Sequence, residues 1–307
     1  MISKKNLKKK IIITGANGYL GSNLIKYFCK FDYHITCIYR KNLKSKIKKK
    51  NIVYIKHDLQ KKIPSNKIKG KFDALLHFAG PKNSRAFVNR NKKKVLEAIK
   101  LDKNIIDFCI KRKIRRFIYA SSSAVYDLNE GVNKNDSSFK ECNVNNSTNP
   151  DGLYGATKRA TEKYLDIIPE KKIKSTSCRI FSIYGPNTNT IINNWKNKIK
   201  KNKKIHIWGS KNIVRSWLYI DDFLSALQHI LQNQKKIKVI NIGSNEITSL
   251  NKIIKIIKKK YKKRKVNLVE DKGKYPGPKV RFSNNEKLIK LGWQQKITLF
   301  NGLDLIK

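Results

Sequence analysis

Short apolar runs alternate along the first 181 residues with stretches in which apolar residues recur every three or four positions. The runs are rich in β-branched and aromatic residues and predict strands, whereas the recurring pattern predicts helices. The predicted strands are Ile11–Ile13, Ile35–Tyr39, Ile52–Ile55, Ala74–Phe78, Phe117–Ser121 and Thr176–Phe181, and the predicted helices are Ser22–Phe31, Lys92–Lys111 and Tyr154–Ile168. This alternation predicts an α/β fold with a doubly wound parallel sheet and helices on both faces.

The pattern changes after Pro186. Further helices and strands are expected at 191–201, 205–209, 221–231, 239–242 and 250–261. We predict a larger domain made of 1–181 and 216–243, and a smaller domain made of 182–215 and 244–307. Folds of this kind bind their ligands at the carboxyl edge of the sheet, so we expect the smaller domain to bind the substrate there.

Charge is the most unusual feature of the composition. The formal net charge is +49 over 307 residues, and a basic surface of this kind suits nucleic-acid phosphates. The excess lysine, however, runs through every segment together with abundant asparagine and isoleucine, and all three share A/T-rich codons. No helix-turn-helix, zinc or RNA-binding signature is present. A nucleic-acid partner is therefore not favoured. A biased genome is the simpler explanation of the charge, and the sequence leaves open whether the charge also has a function.

The apolar runs and the cysteines indicate a cytoplasmic protein. No stretch approaches 18 apolar residues, so no membrane span is expected, and the N-terminus lacks the apolar region of a signal peptide. Buried, reduced thiols fit the cysteines best, because they are odd in number and show no C-x-x-C spacing. We expect neither a metal site nor a disulfide framework. The five cysteines are Cys29, Cys37, Cys109, Cys142 and Cys178.

A glycine motif follows the first predicted strand directly. Gly15, Gly18 and Gly21 have the spacing G-x-x-G-x-x-G, and a helical pattern comes next. Strand, glycine turn and helix together are the context of a dinucleotide-binding fingerprint. The first glycine allows a tight turn, the second lets the backbone approach a pyrophosphate, and the third lets helix pack on strand. The helix N-terminus then attracts the phosphates.

A tyrosine and a lysine four residues apart suggest proton-transfer chemistry. On a helix this spacing returns Lys158 to the face that carries Tyr154. An ammonium about 4 Å from a phenol is worth roughly 4 kcal/mol at an effective dielectric near 20, which favours the phenolate. The phenol then exchanges a proton near neutral pH. The hydroxyl of Ser122, placed beside it, would hold a carbonyl or alcohol oxygen of the substrate.

These motifs together resemble the extended short-chain dehydrogenase/reductase family, the group of NAD(P)-dependent nucleotide-sugar epimerases and dehydratases. The resemblance covers nearly the whole chain, and it implies a Rossmann-type fold, a nucleotide-sugar substrate, a role in carbohydrate biosynthesis and a homodimer. The further matching segments are Asp58–Leu59, Asp73–Gly80, Arg179–Pro186, Arg215–Asp222, Asn241–Ser244 and Leu291–Trp293.

The resemblance also implies roles for single residues. Tyr154 is the general acid/base, Lys158 assists it and binds the nicotinamide ribose, and Ser122 completes the catalytic set. The residues that this resemblance assigns to the cofactor are Gly15, Asn17, Gly18, Tyr19, Leu20, Gly21, Arg40, Asp58, Leu59, Phe78, Ala79, Gly80 and Lys158. Those that it assigns to the substrate are Ser122, Tyr154, Ser182, Arg215 and Arg281.

Cofactor choice depends on the end of the second strand. Family members that prefer NAD place an acidic residue there, and this chain has Arg40 followed by Lys41. Arg40 would pair with a 2′-phosphate, which favours NADP over NAD. An exposed arginine on a basic protein is the alternative interpretation.

The residues next to Ser122 narrow the reaction. Dehydratases of the family carry acidic residues just after the catalytic hydroxyl, where this chain has Ser123 and Ala124. A 4-ketoreductase or a C4 epimerase is therefore expected, with the reductase preferred because NADP(H) usually acts as a consumed reductant. A non-enzymatic relative that binds a dinucleotide, or associates with RNA, is the alternative. The sequence leaves the sugar and the nucleotide open.

Overall fold

The computed structural model describes residues 9–43, 46–64, 66–80, 91–127, 142–146, 148–150, 152–188, 190–233, 235, 237–263, 265–271 and 277–306. Its strands are β1 (Lys9–Thr14), β2 (Tyr33–Tyr39), β3 (Ile52–Lys56), β4 (Ala74–His77), β5 (Arg116–Ser122), β6 (Lys174–Ile180), β7 (Ser182–Tyr184), β8 (Ile205–Trp208), β9 (Val214–Tyr219), β10 (Val239–Ile242), β11 (Ile247–Ser249), β12 (Leu268–Asp271) and β13 (Val280–Arg281). Its helices are α1 (Tyr19–Phe28), α2 (Lys92–Lys111), α3 (Leu153–Ile167), α4 (Ile191–Lys200), α5 (Ile220–Gln232), α6 (Leu250–Lys260), α7 (Glu286–Ile289) and α8 (Leu299–Leu305).

The main sheet has seven strands in the order β10-β6-β5-β4-β1-β2-β3. Strand β1 pairs in parallel with β2 and β4, and β4 pairs in parallel with β5. The chain moves outward from β1 in one direction and then returns to β4 and moves outward in the other, which is a doubly wound topology. The predicted α/β fold class is confirmed.

Two smaller sheets are built from shorter strands. Strand β9 pairs with β11 in antiparallel fashion and with β13 and β7 in parallel, and β12 pairs in parallel with β8. Of these strands the sequence pattern predicted only β8. Strands of two or three residues, such as β13 and β7, are too short to show a period.

The chain divides into two compact units. Unit 1 comprises 1–121, 152–178 and 234–239, and unit 2 comprises 122–151, 179–233 and 240–307. The predicted bounds differ from these units, since 122–151, 179–181, 216–233 and 240–243 are predicted with the dinucleotide-binding segments and belong to unit 2. The assignment of one domain to the cofactor and one to the substrate stays a prediction.

The core of unit 1 lies between its strands and the apolar faces of its helices. In β1, Ile11, Ile12 and Ile13 are fully buried, which fits a central strand covered on both faces. Helix α2 buries Ile105, Ile106 and other apolar residues at helical spacing and exposes its lysines. Each fully buried side chain of this size contributes about 1.5–3 kcal/mol to folding. In the described part of the chain, no helix is both long and apolar enough to cross a membrane.

Candidate active site

The glycine motif forms a tight turn between β1 and α1. Gly15 has a φ of 75°, a conformation that favours glycine, and the N–H of Gly18 donates to the carbonyl oxygen of Gly15 over 2.8 Å. Helix α1 begins at Tyr19, three residues before the predicted start at Ser22. The last glycine of the motif is therefore inside the first turn of the helix.

Two of these glycines leave no room for a side chain. A Cβ atom at Gly15 would lie 2.5 Å from the carbonyl oxygen of Phe78, and a Cβ atom at Gly21 would overlap the carbonyl oxygen of Gly15. Among the described residues, by contrast, nothing lies within 4 Å of a Cβ atom built at Gly80. The turn is a bare backbone cradle at a helix N-terminus, and such a cradle fits the pyrophosphate of a dinucleotide.

Thr14 connects the glycine turn to the segment that follows β4. Its Oγ1 accepts hydrogen bonds from the N–H groups of Phe78 and Ala79, both over 3.1 Å. The same oxygen lies 2.7 Å from Nδ1 of His77. A hydroxyl has two acceptor lone pairs and one hydrogen, so the hydrogen of Thr14 is directed to His77. Nε2 of His77 therefore carries the ring hydrogen.

Asp102 of α2 accepts hydrogen bonds from that ring N–H and from two hydroxyl groups. Its Oδ1 lies 3.0 Å from Nε2 of His77, and its Oδ2 accepts from Tyr119 and Thr161, both over 2.7 Å. All of these side chains are buried, and Asp102 is only 3% exposed. Four elements, β4, β5, α2 and α3, thus converge on one carboxylate.

This carboxylate is held in its ionised form. Burial alone raises the pKa of Asp102, but the hydrogen bond from His77 and the charge of Lys158 outweigh it, so the pKa lies below its ordinary value of 3.8. Burial and the charge of Asp102 together hold the pKa of Tyr119 well above its ordinary value. Tyr119 therefore remains a hydrogen-bond donor to Asp102.

Lys158 lies next to this network. Its ammonium donates to the carbonyl oxygen of Ala120 over 2.8 Å and lies 4.6 Å from the centre of the Tyr119 ring. A cation over an aromatic face gains about 0.5–2 kcal/mol. Tyr154 is partly exposed and precedes Lys158 by four residues in α3, the predicted helical spacing. Unit 1 therefore holds both residues of the tyrosine–lysine motif on one helix.

A buried glutamate fixes α3 against the end of β5. The Ser121 hydroxyl donates to Glu162 over 2.6 Å, and Arg159 donates to the other oxygen of the same carboxylate over 3.0 Å. Glu162 is 1% exposed. Ser121 is the last residue of unit 1 in this part of the chain, and Ser122 follows it directly.

In unit 2, Ser122 caps a short 3₁₀ helix at Ser123–Val125. Its Oγ accepts from the N–H of Ala124 over 3.2 Å, which fixes the side chain and leaves the hydroxyl hydrogen to donate elsewhere. The side chain is partly exposed. A backbone turn therefore sets the direction of the Ser122 hydroxyl.

Arg281 holds that turn. Its guanidinium donates to the carbonyl oxygens of Ser123 over 2.5 Å, Asp127 over 2.7 Å and Tyr126 over 3.4 Å. Arg281 is 4% exposed. The structure thus places the predicted substrate ligand Arg281 among backbone carbonyls.

Two buried guanidinium groups lie near the ring of Tyr126. The carbon at the centre of the Arg179 guanidinium is 4.8 Å from the Tyr126 ring centre, and that of Arg281 is 5.9 Å away. The phenol donates to Asn241 over 2.7 Å, and burial raises its pKa to about 12. This cluster stabilises the segment after Ser122.

The other predicted ligands of unit 2 are partly exposed. Arg215 donates to the carbonyl oxygens of Val214 over 2.7 Å and Pro278 over 2.6 Å. Ser182 begins β7. Their contacts with a substrate stay predictions.

The remaining predicted cofactor ligands lie at strand ends and loops of unit 1. Arg40 directly follows β2 and is exposed, and Asn17 donates to the carbonyl oxygen of Asn42 over 2.9 Å. Asp58 accepts from the N–H of Gln60 over 3.1 Å. The Leu59 side chain belongs to the core, so only its backbone remains for a ligand. Their contacts with a cofactor stay predictions.

Sequence reasoning missed the network around Asp102. It passed over Asp102, Tyr119 and Thr161, because these positions are distant in sequence and match no motif. Two signals were present: an aspartate in the apolar stripe of α2, and a histidine at the end of a buried strand. A charged residue on a buried face needs hydrogen-bond partners, so its presence in a sequence indicates a buried polar network.

Comparison with known proteins identifies the family. The model of the NAD dependent epimerase/dehydratase family matches residues 11–243. ADP-L-glycero-D-manno-heptose-6-epimerase of Brachyspira hyodysenteriae is 28% identical over 84% of this chain and 83% of its own length. dTDP-D-glucose 4,6-dehydratase of Dictyostelium discoideum is 30% identical over 81% of this chain and 62% of its own length.

Solved structures show the same fold. UDP-glucose 4-epimerase of Thermotoga maritima, with UDP-glucose, has a TM-score of 0.84 at 21% identity over 96% of both chains. UDP-glucuronic acid 4-epimerase of Bacillus cereus, in complex with UDP-glucuronic acid and NAD, has a TM-score of 0.84 at 23% identity over 96% of this chain and 97% of that one. The resemblance inferred from the motifs is confirmed, and so is the enzyme class. The chain belongs to the NAD dependent epimerase/dehydratase family.

Proposed function

We propose that the protein is an NAD(P)-dependent oxidoreductase or epimerase of nucleotide sugars, acting as a 4-ketoreductase or a C4 epimerase. The observation that carries the proposal is the placement of Lys158. Its ammonium is buried against Tyr119 and the carbonyl oxygen of Ala120, on the helix that also carries Tyr154. The unit that contains this pair also contains the bare glycine cradle.

The chain's own residues would hold and move one proton. Tyr154 takes the proton from a substrate hydroxyl or returns it to a keto oxygen, and the Lys158 ammonium stabilises the phenolate that forms. Ser122 donates to the same substrate oxygen, because its bond from Ala124 leaves the hydroxyl hydrogen available. A bound nicotinamide dinucleotide supplies the hydride chemistry.

The glycine turn and the segment after β4 are proposed to hold that dinucleotide. Backbone N–H groups at the start of α1 would face the pyrophosphate, with Gly15, Gly18 and Gly21 allowing the close approach. Lys158 would bond the nicotinamide ribose. The proposed further contacts are Asn17, Tyr19, Leu20, Arg40, Asp58, Leu59, Phe78, Ala79 and Gly80.

NADP is proposed over NAD because of Arg40. This arginine is exposed at the end of β2, and no carboxylate occurs at 40–43. Fluorescence titration with NADPH and NADH measures the preference directly. Tighter NADH binding, or equal binding in an Arg40→Ala variant, would contradict this assignment.

A nucleotide sugar is proposed as substrate because both curated relatives described above are named for one. Ser182 and Arg215 are partly exposed, and we propose them as substrate contacts. For Arg281 a substrate contact stays a prediction, since its guanidinium already donates to backbone carbonyl oxygens. Ser123 and Ala124 offer no acid beside Ser122, which favours chemistry at one carbon over dehydration.

Tyr154→Phe is the direct test of this function. The purified protein is screened against a panel of nucleotide sugars with NADH and NADPH, and the variant is then measured on whichever sugar turns over. We expect turnover to fall by about a thousandfold or more, since general acid/base groups contribute roughly 10²–10⁴-fold. Dinucleotide binding should be retained. Full activity in the variant would refute the role of Tyr154 and favour the non-enzymatic alternative.

The state of the purified protein separates the two reactions. An epimerase keeps its cofactor through the cycle, so tightly retained NAD favours the C4 epimerase. A reductase exchanges its cofactor at each turnover, so an empty binding site favours the 4-ketoreductase.

We also propose a homodimer and a cytoplasmic location. Leu96 and Ile167, on α2 and α3, are 68% and 76% exposed, and apolar side chains exposed to this degree suit a contact with a second copy. Sedimentation equilibrium tests the dimer, and a monomer at micromolar concentration would contradict it. The cysteines among the described residues are free thiols, which agrees with a reducing compartment.

A further inference from the structure

The buried carboxylate of Asp102 is connected by hydrogen bonds to both groups of residues that are proposed to contact the dinucleotide. It accepts three hydrogen bonds, from His77, Tyr119 and Thr161. The donors come from β4, β5 and α3, and the carboxylate itself comes from α2. None of the roles proposed above uses this residue.

One branch of the network runs to the segment after β4. His77 donates from Nε2 to Asp102 and accepts at Nδ1 from Thr14. The Thr14 oxygen then accepts from the N–H groups of Phe78 and Ala79. The carbonyl oxygen of Phe78 is in turn the atom that excludes a side chain at Gly15. This branch fixes the backbone that borders the glycine cradle.

The other branch runs to Lys158. The Tyr119 hydroxyl donates to Asp102, which prevents the ring from turning away, and the Lys158 ammonium lies against the face of that ring. Thr161, less than one helical turn after Lys158, donates to the same carboxylate oxygen and fixes α3. This branch fixes the proposed ligand of the nicotinamide ribose.

We propose that Asp102 is a positioning residue for dinucleotide binding. It fixes the Phe78–Ala79 backbone through His77 and Thr14, and it fixes the Lys158 ammonium through Tyr119. This inference rests on the proposed function, because that function assigns Lys158 and Phe78–Gly80 to the cofactor.

The network requires a carboxylate at position 102 because every partner donates to it. An asparagine has one acceptor oxygen and an NH₂ group that only donates. With its oxygen toward His77, the NH₂ group would face the hydroxyl hydrogens of Tyr119 and Thr161. With the amide reversed, the NH₂ group would face the ring N–H of His77. Either arrangement loses at least one buried hydrogen bond.

The charges around Asp102 agree with this requirement. The titratable groups that face it are His77 from β4, Tyr119 from β5 and Lys158 from α3. Hydrogen bonding by His77 and the positive charge of Lys158 hold the pKa of Asp102 below its ordinary value despite burial. A buried anion therefore stands opposite the buried ammonium that the cofactor would contact.

The test measures NADH and NADPH binding to the full chain by fluorescence titration. Asp102→Asn should weaken binding by about tenfold or more, as expected for a residue that supports ligand contacts from behind. Tyr119→Phe keeps the ring and removes only the hydroxyl, so a smaller loss of roughly threefold to tenfold is expected. It also covers the case in which Asp102→Asn fails to fold.

Asp107→Asn is the matched control. Asp107 lies on the same helix, but its side chain is 43% exposed and pairs with Lys103 over 2.6 Å. Binding by this variant should stay within about twofold, because exposed ion pairs contribute little.

With the nucleotide sugar that turns over, Asp102→Asn should lower kcat and leave KM for the sugar within about twofold, since the proposed sugar contacts are other residues. If the role of Asp102 were purely structural, the variant would lose thermal stability, but the folded protein would keep the kcat and KM of the wild type.

The outcomes separate this inference from the proposed function. If the wild-type protein binds NADH or NADPH, and folded Asp102→Asn and Tyr119→Phe bind it as tightly, the positioning role is wrong and the proposed function stands. If the wild-type protein is purified without a bound dinucleotide and binds neither NADH nor NADPH, the proposed function fails and the inference fails with it.

Discussion

Units 1 and 2 both bury charge near residues of the proposed site, but they hold it in opposite ways. In unit 1 the central group is an anion, Asp102, and its partners are side chains from three other elements. In unit 2 the central groups are two cations, Arg179 and Arg281, which lie near the Tyr126 ring and donate to backbone carbonyl oxygens.

The two units differ in which hydrogen-bond partners a substitution can remove. Each partner of Asp102 is a side chain, so the network of unit 1 can be taken apart one hydrogen bond at a time. The carbonyl partners in unit 2 are set by the path of the chain, so only the guanidinium can be replaced. Removing one partner of Asp102 should therefore cost less than replacing a guanidinium of unit 2, because the latter change leaves several buried carbonyl oxygens without a donor.

The largest effect is expected from Arg281→Met in unit 2. The change leaves the carbonyl oxygens of Ser123 and Asp127 without their donor, and the free energy of unfolding should fall by about 3 kcal/mol or more. Urea unfolding followed by tryptophan fluorescence measures this, because all tryptophans of the chain, at 195, 208, 217 and 293, belong to unit 2.

Arg112→Met is the control for that prediction. Arg112 also donates to a carbonyl oxygen, that of Gly70, but on the surface, so its loss should cost less than about 1 kcal/mol. Equal effects of the two substitutions would remove the contrast between buried and exposed guanidinium groups.

A smaller effect is expected from Gly21→Ala in unit 1. The added Cβ overlaps the carbonyl oxygen of Gly15, so the turn must open, at a cost of about 1–3 kcal/mol by thermal unfolding. Affinity for NADH should fall with it. Gly80→Ala, which meets open space, should leave the unfolding temperature nearly unchanged. A stable Gly21→Ala protein with normal affinity for NADH would show that the close contact between Gly21 and the Gly15 carbonyl oxygen matters neither for stability nor for binding.

The smallest effect concerns acid stability in unit 1. The folded pKa of Asp102 lies below its ordinary value of 3.8. Its contribution to stability is therefore complete above pH 3.8 and is lost as the pH falls through the folded pKa. Asp102→Asn lacks the titration, so its unfolding free energy should depend less on pH below 4 than that of the wild-type protein. Identical acid profiles would argue against a buried carboxylate.

The same contrast explains how much the sequence could predict. The strands of unit 1 were found because β1 and β4 are continuous apolar runs, and the cradle was found because its glycines are close in sequence. Helix α1 starts earlier than predicted, because Gly18 provides the cap and the apolar period begins only later. These features depend on neighbouring residues.

What the sequence could not show depends on distant residues. Strand β7 is three residues long and pairs Ser182 with Trp217, so no local period marks it. The partners of Asp102 extend from β4 to α3, and no spacing rule connects them. The partners of Arg281 are carbonyl oxygens, which every residue carries, so no residue type marks them in a sequence.

The turn after Ser122 is completed by an arginine 158 positions further along the chain. At a synthesis rate of about 5–20 residues per second, roughly 8–30 seconds pass between the two. For most of that interval, once position 158 has been synthesised, the glycine cradle, Tyr154 and Lys158 exist while the turn that directs Ser122 lacks its donor. A polypeptide released before position 281 therefore carries a phenol and an ammonium without an anchored serine, so the proposed catalytic set is complete only after Arg281 has been synthesised.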